Sequence, residues 1–322
     1  MSADPTRESL PGHLPAAHLT NRPALGATAA PRRLAGGRVE GLALLAVTAC
    51  SWGFNWPVSK FLLSELPPFA MRTLCCGAAA AFAFGLARAR GERLRPPPHQ
   101  WRRLILFAML NYGVFTVLTT LALYWLPASE AVIVTYTLPI WAGVLAWPML
   151  GERPTLGRVT AMALGLGGVA LLVGAGGMSA SWTQVPGVLC GFGAAWVFAL
   201  GTVIAKRAPL AMPPVAGVAW QAALGTTPVA LLTLTEHPDW GAVSPLGWGA
   251  AGYVAILPMT LAYVTWFRAL RLLPAGTAAT AVLVAPVVGV FASAALLGEP
   301  LGPRQLAALA MTLTGVALAA RS

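Results

Sequence analysis

Charge is scarce in this 322-residue chain. Asp, Glu, Lys and Arg make up 10% of it, 57% is apolar, and the mean hydropathy is +0.71. A soluble domain carries about a quarter of its residues as charges, so the shortfall excludes an ordinary water-facing globule. Aspartate is nearly missing: Asp4 and Asp239 both lie outside the apolar runs. The histidines, His13, His18, His99 and His237, also fall in polar stretches. An enzyme embedded in the membrane needs a cluster of carboxylates or histidines, and these absences leave little to build one from. Cys50, Cys75, Cys76 and Cys190 sit inside apolar runs with no Cys-x-x-Cys spacing, so they read as small packing residues. No nucleotide-binding motif occurs and no metal or other cofactor is implied. A polar ring repeated by symmetry, as a channel filter requires, is missing too.

What charge there is carries a sign. The net charge of +11 comes from short basic tracts between apolar runs. That is how a membrane protein distributes its cytoplasmic charge, and it argues against a nucleic-acid partner. The partners expected instead are the lipid bilayer and a small-molecule substrate.

Residues 1–40 are polar, with Pro5, Pro11, Pro15, Pro23 and Pro31 spaced through them. They hold no apolar core of signal-peptide type, and the prolines break any amphipathic transit helix. A disordered cytoplasmic tail is expected. Beyond Gly41, apolar runs follow at 41–63, 69–87, 104–126, 128–150, 157–175, 186–205, 214–234, 247–267, 275–297 and 304–320. Each is near the about 20 residues that cross a hydrocarbon core as a helix. None alternates apolar and polar residues as a barrel strand does. With a cytoplasmic amino terminus, 18 of the 21 basic residues fall in inside segments, leaving only Lys60, Arg72 and Arg304 at the outer side. Trp125, Trp182, Trp240 and Trp248 then lie at outer boundaries and Trp101 at an inner one, as an aromatic belt.

Sliding the chain along itself by 147 residues lays 122–173 on 269–320 with 17 identities in 52 ungapped positions. Pro127-Ala128 meets Pro274-Ala275, Pro139 meets Pro286, and Leu150-Gly151-Glu152 meets Leu297-Gly298-Glu299. A unit of five helices is odd, so its second copy crosses in the opposite sense. Arg268 and Arg271 agree, because their partners under the offset, Leu121 and Tyr124, are uncharged. The expected fold is an all-α integral membrane protein: ten transmembrane helices as two inverted five-helix repeats, residues 41–176 and 186–320, with both termini cytoplasmic. Inverted repeats are an architecture of secondary transporters, with the substrate near midplane between the halves.

These residues resemble the drug/metabolite transporter superfamily and, within it, the EamA-type exporters. The resemblance rests on Trp52-Gly53 followed by Lys60, on Arg72, on Glu130 and Pro139 with Leu150-Gly151-Glu152, and on Pro286 with Leu297-Gly298-Glu299. It spans about 41–320. Trp196 and Lys206 in the second half are spaced differently from Trp52 and Lys60. The resemblance implies a multi-pass carrier of the bacterial inner membrane that exports amino acids or drug-like metabolites by alternating access without ATP. The scarcity of lysine, two against nineteen arginines, suits a GC-rich bacterial genome. A facilitative importer or uniporter is the alternative, and a membrane-embedded enzyme a weaker one.

Candidate substrate contacts are Trp52, Asn55 and Trp56, within about one helical turn, and Asn111 with Tyr112. Tyr136, Trp196, Trp220, Gln221 and Tyr263, with Trp266 beside it, complete the set. Each aromatic alone is as well explained by packing. Lys60, Arg72 and Glu130 are the ionisable candidates at membrane depth. Glu130 suits a proton or amine site, or the start of its own helix. Lys60 and Arg72 suit an anionic group, an ion pair with Glu65 or Glu130, or snorkelling to the surface. Glu152 and Glu299 read as structural, closing their helices at opposite faces.

Overall fold

The computed structural model describes residues 30–151, 156–174, 178–273 and 283–321. Residues 1–29, Glu152, Arg153, and the start of the ninth expected span with Pro274 and Ala275 lie outside them. Among the described residues every element is helical, and six of the helices are long and apolar enough to cross a bilayer. The protein is an α-helical, multi-pass membrane protein.

Proline and glycine mark many of the helix ends. The chain forms α1 (Ala30–Leu62) and α2 (Pro68–Ala89), then α3 (Trp101–Ala108), a π-helical turn at Met109–Val114, and α4 (Phe115–Trp125) as one apolar run. Next come α5 (Ala128–Thr135), α6 (Leu138–Leu150), α7 (Leu156–Gly174) and α8 (Met178–Arg207). The remainder is α9 (Pro214–Thr233), α10 (Pro245–Ile256), a π turn at Leu257–Leu261, α11 (Ala262–Leu272), α12 (Val284–Leu297) and α13 (Pro303–Arg321). Pro68, Pro214 and Pro245 open their helices, where the missing N–H costs nothing. The two Leu-Gly-Glu motifs close theirs: Gly151 and Gly298 both take left-handed backbone, with φ of 75° and 65°. Only glycine adopts that cap without strain.

Two features differ from the expected spans. First, α1 begins at Ala30, so residues 30–40 extend the first helix instead of belonging to the tail; Pro31 in its first turn is compatible with that start. Second, the expected helix 128–150 is broken at Tyr136-Thr137 into α5 and α6. Pro139 has no N–H to give the Thr135 carbonyl and its ring crowds that oxygen, so the ladder parts there. The start of α12 at Val284, just before Pro286, is the same position displaced by 147.

That displacement relates the packing as well. It carries α1 onto α8, α2 onto α9 and α7 onto α13. The main interfaces follow in related pairs: α1 lies along α11 and α12, and α8 along α4 and α6, while α2 packs on α9 and α7 on α13. The α7–α13 contact shows the relation at atomic level. A Cβ on Gly168 would meet Ala308 O at 2.9 Å, and one on Gly315 would meet Ala161 O at 2.7 Å. Both glycines and both alanines are 147 apart, so each helix presses its small residue on the other's backbone. Large apolar side chains such as Phe54, Phe82, Leu189, Leu231 and Phe291 are left facing outward, as hydrocarbon contact requires.

Gly168→Val and Gly315→Val are therefore each expected to lower stability in detergent by about 1–3 kcal/mol through overpacking. Gly217→Val, where a Cβ meets nothing within 4 Å, is expected to cost less than either, as read from thermal unfolding.

Candidate functional site

The widened turn at Leu257–Leu261 is the anchor of an aromatic assembly. Pro258 withholds a donor inside the α10–α11 run, which disrupts the regular ladder there. Side chains from two other helices bond carbonyls of this turn. Trp52 Nε1 donates to Pro258 O at 3.1 Å, and the buried Tyr112 Oη donates to Met259 O at 2.9 Å. Tyr263, one turn on, faces Trp52 edge-on at 5.5 Å and Tyr112 at 6.2 Å, with Trp266 5.9 Å from Trp52. Tyr112 itself sits in the π turn Met109–Val114, whose last five residues are the 147-residue counterparts of Leu257–Leu261. The two turns touch at their related residues, Tyr112 and Met259.

One turn along α1, Trp56 lies 6.4 Å from Tyr136 at the α5–α6 break; the two are 5% and 9% exposed. Asn55, half-buried on α1, accepts from Ser59 Oγ at 3.3 Å. Trp52, Trp56, Tyr112, Tyr136 and Tyr263 are thus brought together where α1, the two π turns and the α5–α6 break meet, while Asn55 lies between the two tryptophans in the α1 sequence and bonds within its own helix. Asn111 points instead to Gly201 of α8, with Oδ1 buried and unbonded. Two more candidates sit apart at the basic end: Trp220 packs on Trp101 and Phe84 and donates to Leu94 O at 2.6 Å, and Gln221 donates to Gly217 O of its own helix. Trp196 is 43% exposed on α8 and joins neither group. Sequence reasoning passed over Thr48 and Thr265, whose hydroxyls meet at 2.7 Å between α1 and α11, and the acceptor carbonyls of Pro258 and Met259. Pro258 within an apolar run was their only visible signal.

The ionisable candidates have definite partners. Lys60 Nζ donates to Leu123 O and, at 2.9 Å, to Leu126 O, at the carboxyl end of α4. Glu130, 4% exposed, pairs with Arg304 of α13 at 3.1 Å, so neither Lys60 nor Arg72 is its partner. The start of α5 is held by Glu299, which accepts from Ala128 N at 2.6 Å, Ser129 N at 2.9 Å and Ser129 Oγ at 2.6 Å. Arg72 is buried, with Nε donating to Thr120 Oγ1 at 2.6 Å.

Carboxylates cap other helices in the same way. Glu236 accepts from Phe69 N and Ala70 N at the start of α2, at 3.0 and 2.7 Å. Glu92 accepts from Ala216 N at the start of α9, at 2.8 Å, and Glu65 from Ser244 N at the start of α10, at 3.0 Å. Phe69 and Ala216 are related by 147. No group of three His, Cys, Asp or Glu side chains suited to a metal occurs among the described residues.

The sequence profile of the EamA-like transporter family matches twice, over residues 39–174 and 185–321. The chain belongs to the EamA-like transporter family. This EamA-like protein is 29% identical to the uncharacterized transporter YvbV of Bacillus subtilis, over 85% of this chain and 90% of that one. It is 24% identical to a probable terminal-alkyne amino-acid exporter of Streptantibioticus cattleyicolor, over 85% and 91%. To a probable amino-acid metabolite efflux pump of Salmonella typhimurium it is 26% identical, over 85% and 92%. A solved crystal structure at 22% identity shares its fold, with a TM-score of 0.64 over 88% of this chain and 96% of the other. The protein is a membrane transporter of this family.

Removing the Glu299 cap is the sharpest test of the end architecture. Glu299→Ala is expected to cost about 1–2 kcal/mol, as loss of an N-cap does. Glu299→Gln, which keeps one acceptor oxygen, is expected to cost less, measured as apparent unfolding temperature in detergent.

Proposed function

We propose that this transporter exports small metabolites, amino acids or drug-like compounds, across the bacterial inner membrane by alternating access. In this reading ten spans form two inverted five-helix halves, 41–176 and 186–320, with both termini in the cytoplasm. Trp52, Asn55, Trp56, Tyr112, Tyr136 and Tyr263 line the substrate path between them. The observation that carries the proposal is the convergence of Trp52 and Tyr112 on the carbonyls of Pro258 and Met259, with the Tyr263 ring against both. A ligand is best held where helices are interrupted, because such turns present backbone groups that a regular helix keeps for itself. The paired interfaces related by 147 residues favour rocking, since two equivalent packings exchange with little net change in buried contact. Export over import is supported by the names of the two amino-acid relatives, and the inside-positive charge supports the orientation.

Counterflow in proteoliposomes with a panel of amino acids and aromatic compounds, with and without a pH gradient, tests the proposal. Saturable exchange of at least one compound is expected. Trp52→Ala and Tyr263→Ala should each reduce it about tenfold, the scale of one lost aromatic contact plus its packing. Trp182→Ala, at an exposed belt position, should leave it unchanged. Absence of exchange for every compound contradicts transport, and full exchange in both aromatic variants contradicts the assigned path.

A further inference from the structure

Lys60, Glu130, Glu299 and Arg304 lie near one another where α5 begins, two cations among two carboxylates. Arg72 stands outside that balance. Its side chain is 2% exposed, its Nε is fixed by Thr120 Oγ1, and the Thr120 hydroxyl is itself bound to Thr116 O at 2.7 Å. Among the described residues no carboxylate lies within 4.0 Å of Arg72, and its two Nη groups have no hydrogen-bond acceptor. A guanidinium held by Nε alone keeps free the edge that carries both Nη donors, and a fork of parallel N–H groups matches the two oxygens of a carboxylate. Buried cations at membrane depth are costly unless something supplies the opposite charge.

The surroundings join this group to the aromatic assembly. Cys76, one turn along α2, touches Met259 through sulfur at 3.8 Å, and Met259 O is the acceptor of Tyr112. Tyr112 and Arg72 are themselves close enough to interact electrostatically. We propose that Arg72 receives the carboxylate of the transported compound, so that the substrate class is small carboxylates, amino acids among them, with an apolar or aromatic body lying against Trp52, Tyr112 and Tyr263. This rests on the transporter reading above and adds the substrate's chemistry to it.

The test uses acid and amide pairs, which differ little except in charge: leucine and leucinamide, phenylalanine and phenylalaninamide, 3-phenylpropionate and 3-phenylpropionamide. Affinity is read from ligand-induced shifts in the unfolding temperature of the full chain in detergent. At least one acid is expected to bind about tenfold or more tightly than its amide, the scale of a charge-assisted hydrogen bond. Arg72→Gln should bring the pair within about twofold, and Arg72→Lys, which keeps charge without the fork, should fall between. No acid bound better than its amide by the native chain, or a preference that survives in Arg72→Gln, overturns the proposal. Should Arg72→Gln fail to fold, Arg72→Lys decides: weaker binding of the acid with the amide unchanged supports it, and unchanged binding of both overturns it. Counterflow of the same pairs separates this proposal from transport itself. Acid-selective binding that depends on Arg72, without flux, contradicts transport and upholds Arg72. Flux of acids and amides alike, undiminished in Arg72→Gln, does the reverse.

Discussion

Inside a bilayer a helix satisfies its own backbone everywhere except at its ends, and there the first N–H groups need outside acceptors. This chain has few carboxylates, and it places several of them at those ends. Glu65, Glu92, Glu236 and Glu299 each accept N–H groups at the start of a helix distant in sequence. Each cap does two things at once. It meets donors that would otherwise be unsatisfied and favours the positive end of the helix dipole, and it ties two elements that the chain does not connect locally. The scarcity of acid and its placement are therefore one fact. In a protein with little charge, most carboxylates of the helical body have a structural post.

The 147-residue relation gives those posts a pattern. Phe69 and Ala216, both held by a carboxylate, are counterparts, as are Gly168 and Gly315 at the closest backbone approach. The two π turns are counterparts as well, and they meet where Trp52 and Tyr112 bond the carbonyls of Pro258 and Met259. A symmetric frame with an asymmetric centre suits a carrier. Related interfaces surround the centre, where the aromatic side chains and Arg72 break the relation. Trp52 has Ala199, Arg72 has Ala219 and Tyr263 has Thr116 as counterparts under the offset, so neither half repeats the other's chemistry.

Much of the frame was legible in the sequence, because apolar length, proline and the Leu-Gly-Glu motif act locally. Gly151 and Gly298 show this: the motif predicts a helix end and the backbone takes the left-handed cap. The π turn at Met109–Val114 was not legible, since no proline marks it and Asn111 alone does not interrupt the surrounding apolar run. Partners across the fold were out of reach for a different reason. Glu299 lies 171 residues from the N–H of Ala128, and nothing local announces the pairing. Candidate side chains on helices apolar all round also carry no sign of which way they face. Trp52 and Trp196 look alike in sequence, yet one bonds Pro258 O and the other is largely exposed. Arg72 was visible as a buried charge; that it lacks a carboxylate partner among the described residues needed three dimensions.

The proposed rocking of two related halves about the aromatic centre makes a demand on distances. Spin labels at Ser64 and Gly302 at the end that holds Lys60 and Glu299, and at Arg93 and Arg207 at the basic end, report both openings in a variant free of native cysteine. On adding a transported compound, electron–electron double resonance is predicted to show one distance lengthening while the other shortens. Two distances that stay fixed, or that move in the same direction, contradict alternating access between the halves.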